Sequence, residues 1–208
     1  MFHRTQIVVC IVSALFVSVA SGEGPPPGIQ KAEFVYDTAP FPQCHASTIE
    51  LTSKGLIAAW FGGTREKHPD VGIWVSRHDG KSWTAPVEVA NGVQDANTRH
   101  PCWNPVLFQY PNGPLALFWK CGPDPATWWG VMSLSTDHGA TWTQPCRLPE
   151  HIDGPVRNKP ILLADGTLLC GSSTEFDGWR VHFEKTADFG RTWQRTAQIG
   201  SGLLDVTT

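Results

Sequence analysis

Residues 135–142 read STDHGATW: a serine, an aspartate two positions on, a glycine two further, and a tryptophan three beyond that. The pattern returns as TADFGRTW at 186–193 and, in looser form, as SRHDGKSW at 76–83. Aligning the turn glycines Gly55, Gly113 and Gly166 exposes a longer repeat behind the octets. Before each glycine lies an apolar run ending in a polar turn: ASTIELTSKG, PVLFQYPNG and PILLADG. After each comes a second run, LIAAWFGG, PLALFWKCG and TLLCGSSTE. A third run, VGIWVS, WGVMSLS and WRVHFEKT, then leads into the octet, and short segments such as TAPVEVA and TQPCRLP follow it. Strand, turn, strand, loop, strand, octet, strand recurs with a period of a little over fifty residues. That period implies an all-β chain of β-propeller blades, each a four-stranded antiparallel sheet. A sandwich would not generate a repeat at this spacing.

Strand direction gives the octets an address. Successive strands of a blade alternate in direction, so the octets share a face of the disc with the hairpin turns at Gly55, Gly113 and Gly166. Their chemistry suits a structural role there. An aspartate accepts backbone N–H groups in a turn, glycine permits a positive φ, and a tryptophan can tuck beneath. Ser76, Asp79, Gly80 and Trp83, then Ser135, Asp137, Gly139 and Trp142, then Thr186, Asp188, Gly190 and Trp193, are read as holding the fold. In the first copy His78 takes the usual aspartate position and Asp79 follows it. The opposite face receives the starts of the inner strands and the loops between second and third strands, and chemistry is expected there.

The composition agrees with short strands and tight loops: ten tryptophans, twenty glycines and seventeen prolines accompany only two tyrosines and two methionines. A net charge of −3 argues against nucleic acid or an acidic membrane surface as partner. An apolar run from Ile7 to Ala20 behind Arg4 is too short to cross a bilayer and reads as a signal peptide over 1–22. The expected product is a secreted or periplasmic domain over 23–208, free of the membrane after cleavage. Cys44, Cys102, Cys121, Cys146 and Cys170 follow the leader, an odd number without zinc-type spacing. Buried free thiols are preferred to a disulfide framework, and neither a metal nor another cofactor is expected.

The octets resemble the Asp-box, or bacterial neuraminidase repeat, of the sialidase superfamily, and the resemblance extends through CHASTIEL, AAWFGGTRE, WNPVLF and NKPILL. It implies a ring of about six blades, of which three octets mark about half. A truncated product is therefore expected, its remaining blades supplied by missing sequence or by a second chain, and the terminal SGLLDVTT fits no further blade. Sialidases begin a carboxylate-gripping arginine triad near the first inner strand. The corresponding FPQCHAST offers His45 and no arginine. FGGTREKHPD resembles the family's next stretch and places Arg65 as a carboxylate binder and Asp70 as the acid. The nucleophile of the family comes from later blades.

His45 starts the innermost strand, where a histidine suits proton transfer near neutral pH or simply hydrogen-bonds within the channel. Asp70 can protonate a leaving glycosidic oxygen provided burial raises its pKa, and the neighbouring Glu66 is an equal carboxylate candidate. Arg99, His100, Asn104, Lys120, Arg157, Asn158, Lys159 and Glu175 occupy corresponding open-face positions in the later blades. Their basic groups favour an anionic sugar. Trp103, Trp128 and Trp129 can stack on sugar rings, whereas Trp74 and Trp119 fit the core. The expected function is an exported sialidase-like exo-glycosidase acting on terminal acidic sugars of glycans. The alternatives are a non-catalytic carbohydrate-binding propeller, an inactive fragment, or a polysaccharide lyase using His45.

Overall fold

The computed structural model describes Gly28 and residues 31–175 and 178–199. The leader over 1–22 and the terminal SGLLDVTT lie outside these. Residues Met1–Phe34 and Val35–Thr208 form two compact units. In the first, Lys31 and Glu33 pair at 2.7 Å.

The second unit is three four-stranded antiparallel sheets in sequence order. Sheet one is β1 (Gln43–Thr52), β2 (Gly55–Gly63), β3 (Gly72–His78) and β4 (Val87–Ala90). Sheet two is β5 (Cys102–Gln109), β6 (Leu115–Cys121), β7 (Trp129–Ser135) and β8 (Cys146–Arg147). Sheet three is β9 (Ile161–Leu162), β10 (Leu168–Thr174), β11 (Arg180–Thr186) and β12 (Gln194–Arg195). Each is one propeller blade, as the repeat requires.

Side chains alternate across a strand, and the middle blade shows what that alternation does. Leu115, Leu117, Trp119 and Cys121 of β6 pack with Ile57, Phe61, Ile73 and Val75 of the first blade. The intervening Ala116 and Phe118 pack instead with Leu168 and Cys170 of the third. Buried on both faces, β6 reads as a continuous apolar run rather than an alternating one. Each fully buried large side chain contributes about 1.5–3 kcal/mol. The far face of the first blade is covered by the segment leading into it, where Val35, Tyr36, Ala39 and Phe41 meet Ala58, Trp60 and Trp74. On the third blade Ile161, Val181 and Phe183 remain exposed.

The octets do what their composition implies. Asp137 Oδ1 accepts the Ser135 hydroxyl at 2.8 Å and the Thr141 N–H at 2.8 Å, while Oδ2 accepts the Thr141 hydroxyl at 2.6 Å. Ser135 Oγ in turn accepts the Gly139 N–H at 2.8 Å. Asp188 repeats the arrangement with Thr186, Thr192 and Gly190. The Thr141 and Thr192 bonds, foremost, pull both carboxyls down, Asp188 to about 2, so each turn holds its charge at neutral pH. The first copy is one residue tighter: Asp79 Oδ1 accepts the N–H groups of Lys81 and Ser82, and His78 Nδ1 accepts that of Gly80. The carboxylate is thus kept and shifted, not replaced by His78.

The second and third octets also fasten their blades to the one before. His138 Nε2 lies 3.4 Å from Ser53 Oγ on the β1–β2 hairpin. Phe189 sits edge-on to Tyr110, beside the β5–β6 turn, at 4.8 Å between centroids. The octets and first hairpins therefore share one face. Gly139 has φ +83°, and a Cβ there would collide with Ile57 of the preceding blade, whereas Gly80 at φ +95° faces open space. Gly139→Ala should accordingly cost about 2–4 kcal/mol and Gly80→Ala about 1 kcal/mol. Urea denaturation of the two variants measures the difference; equal losses would mean that the octet does not bolt blade to blade.

Candidate functional site

On the face opposite the octets, two inner strands begin with the same irregularity. The β1–β2 register slips between His45 and Thr48, and the β5–β6 register slips between Trp103 and Val106. Each bulge contains a non-glycine residue in the left-handed region, Ala46 at φ 53° and Asn104 at φ 43°. Such bulges and strained residues re-aim side chains and cluster beside active sites. The third inner strand is preceded by bends carrying Arg157 and Asn158. Ala46, Ser47, Asn104, Pro105, Arg157 and Asn158 line one cavity of about 370 Å³. Three blades therefore bring a guanidinium and two carboxamides to a common mouth. That set suits a carboxylate flanked by hydroxyls.

His45 enters its bulge exposed, its ring stacked on Phe61 with 5.5 Å between centroids. Arg65 and Glu66 are exposed on the β2–β3 loop. Asp70 closes that loop, accepting the Thr64 N–H at 3.0 Å and the Thr64 hydroxyl at 2.6 Å, with His68 Nδ1 at 2.7 Å. Slight burial pushes its pKa up, but these hydrogen bonds and His68 outweigh it and hold the carboxyl below its ordinary value. The rise that an acid acting near neutral pH requires is absent. Arg99 braces the same loop, donating Nη2 to the Asp70 carbonyl at 2.7 Å and to Glu88 Oε1 at 3.2 Å.

Two lysines expected at the mouth are engaged elsewhere. Lys159 donates to Glu50 Oε2 at 2.6 Å and to the Leu107 carbonyl at 2.9 Å, tying the inner strands of the first two blades. Lys120 is fully buried and donates to the Pro155 carbonyl at 3.0 Å. It shares the strand parity of Ala116 and Phe118, so it points between the second and third blades. There β11 turns His182 and Glu184 inward, both completely buried, with Nε2 and Oε1 2.8 Å apart. Glu184 also accepts the N–H groups of Asp153 and Gly154. Burial, opposed by Asp153 and Glu184, lowers Lys120 to about 8.

Glu175 faces a second cavity of about 420 Å³ that also includes Trp128, Trp129 and Asp153 in its walls. Burial raises both carboxyls, and Asp153 adds to the rise at Glu175. The Arg147 guanidinium caps Trp129 at 4.5 Å, and His100 meets that ring edge-on at 5.7 Å. Trp103 donates Nε1 to the Gly122 carbonyl at 2.9 Å and is almost wholly buried, so it supports the mouth rather than lining it. Sequence reasoning passed over Asp153, His182 and Glu184. The available signal was the alternation in RVHFEKT, which puts His182 and Glu184 on one face with Thr186.

Residues 54–206 match the profile of the BNR repeat-like domain. The chain belongs to that family. No curated protein matches the sequence. Among solved structures, a Hadza microbial sialidase superposes with TM-score 0.63 at 17% identity, over 74% of this chain and 37% of that one. The NanB sialidase of Streptococcus pneumoniae gives 0.62 at 12% identity, over 81% and 46%. A family 117 glycoside hydrolase of Zobellia galactanivorans gives 0.55 at 11% identity, over 74% and 55%. At these identities the likeness is one of fold. The chain spans about a third to a half of the length of these proteins.

Lys120 yields a pH signature. Its pKa falls from 10.5 when unfolded to about 8 when folded, so the unfolded state binds more protons between those values. Its contribution to stability is complete above pH 10.5 and is lost as pH falls through 8. Relative to Lys120→Met, the wild type should gain up to about 3 kcal/mol between pH 7.5 and 10.5. Paired urea titrations measure this; a pH-independent difference would contradict the burial of a titrating ammonium.

Proposed function

We propose that this chain provides the substrate-recognition blades of an exported exo-glycosidase that releases a terminal acidic sugar from glycans. The single observation that carries the reading is the cavity where Arg157, Asn104 and Asn158 converge from two blades beside the bulge of a third. A guanidinium in that place holds a sugar carboxylate, and the carboxamides hold its hydroxyls. Arg65, exposed on the neighbouring loop, is a second carboxylate contact, and His45 is the proton-transfer group nearest the mouth in sequence. The structural relatives named as sialidases and as a glycoside hydrolase support a carbohydrate substrate.

Asp70 favours a second reading. Its carboxyl is stabilised in the ionised form, so it is a poor proton donor near neutral pH and serves as a hydrogen-bond acceptor. That condition fits a propeller that binds acidic glycans without turning them over.

One assay separates the two. The complete gene product, carrying these blades with the rest of the ring, is incubated with fluorogenic α-sialosides and glucuronides at pH 4–7, and is also applied to an array of sialylated and uronate-capped glycans. The enzyme reading expects release of the terminal sugar, lost at least 100-fold in Arg157→Ala, and release that increases toward acid pH if Asp70 is the donor. Array binding without release, abolished by Arg157→Ala, establishes the binding propeller. Neither release nor binding would overturn both.

A further inference from the structure

Cys102 and Cys121 face each other at the open-face ends of β5 and β6, as direct partners in the antiparallel register. The backbone hydrogen bonds identify the kind of pair they form. The Gly122 N–H donates to the Pro101 carbonyl at 3.2 Å, which closes the hydrogen-bonded pair just outside them. The Cys102 N–H turns away from β6 and donates to the Val71 carbonyl at 3.0 Å. Hydrogen-bonded and non-hydrogen-bonded pairs alternate along an antiparallel ladder, so Cys102 and Cys121 occupy a non-hydrogen-bonded site. Cα atoms there lie about 4.5 Å apart with side chains in closest approach. A disulfide needs Cα atoms about 4.4–6.8 Å apart.

The surroundings agree. Both residues are buried, and they flank the pieces that shape the mouth. Cys102 precedes Trp103 and the bulged Asn104, and Cys121 precedes Gly122, whose carbonyl receives the Trp103 indole. The neighbouring Cys121 thiol and burial hold the Cys102 thiol well above the ordinary range, and Cys121 Sγ accepts from Gln94 Nε2 at 3.7 Å. Cys44 and Cys146 are exposed, while Cys170 is buried among residues of the interface between the second and third blades.

We propose that Cys102 and Cys121 are a built cross-strand disulfide site, closed when the chain folds in an oxidising compartment, that staples the bulge carrying Trp103 and Asn104. The oxidant is a small-molecule disulfide of the glutathione type. One cysteine thiolate attacks it and releases one thiol; the second cysteine then attacks the mixed disulfide and releases the other. Two protein S–H bonds are replaced by one Sγ–Sγ bond, and the two electrons reduce the oxidant to two thiols. The inference is independent of the substrate, because it rests on the register and burial of the two cysteines.

The test is refolding of the full chain from urea in a buffer of excess oxidised over reduced glutathione, then alkylation under denaturing conditions and peptide mass spectrometry. The expected result is a cross-linked peptide joining Cys102 to Cys121, released by reductant, with Cys170 alkylated. The oxidised protein should melt about 5–10 °C above its reduced form, and Cys121→Ser should remove that difference. Alkylation of both cysteines after oxidation, or their pairing only with Cys44 or Cys146, would overturn the proposal.

Discussion

The turn around each octet carboxylate is the constraint on which the rest of the structure hangs. Asp137 and Asp188 collect backbone and hydroxyl donors from their own octets, and those hydrogen bonds fix a glycine in the left-handed region. Without a Cβ, Gly139 settles against Ile57 of the preceding blade, and Gly190 does the same against Met132. A local hydrogen-bond motif thereby sets the spacing between neighbouring sheets. Because the motif occupies one face, the opposite face is left free for irregular inner strands and long loops.

Blade stacking then decides what each strand residue does. The first interface is almost wholly apolar, with Ile57, Phe61, Ile73, Leu117 and Trp119 in contact. The second combines an apolar half with Lys120, His182 and Glu184, none of which touches solvent. Burying charge is costly unless each group finds partners. Here the ammonium meets a carbonyl, and the carboxylate meets two backbone N–H groups and an imidazole. His182 Nδ1 is left buried without a hydrogen-bond partner, so the network is only partly satisfied.

The open face owes its character to interruptions of that regularity. Bulges at His45–Thr48 and Trp103–Val106 bend the inner strands, and the bends before β9 contribute Arg157 and Asn158. The cavity lined by Glu175, Asp153, Arg147, Arg195, Trp128 and Trp129 lies between the second and third blades. The candidate site and the contacts that set sheet geometry are thus separated by face. This is the usual way in which one scaffold supports different chemistries.

By itself the sequence determined the three blades, their four strands each, and the structural role of the octets. Those features follow from local rules: period-two and turn chemistry, repeated three times. It also brought out Asn104, Arg157 and Asn158, because repeat alignment alone puts them at the starts of inner strands. Only the tertiary structure decided that Lys120 belongs to an interface and Lys159 to a tether, since strand parity says which face a side chain takes but not what lies opposite. It likewise decided the ionisation of Asp70, which depends on Thr64 and His68 folding back around it. The facing of Cys102 and Cys121 required the register of β5 against β6, a relation between segments that neither segment encodes alone.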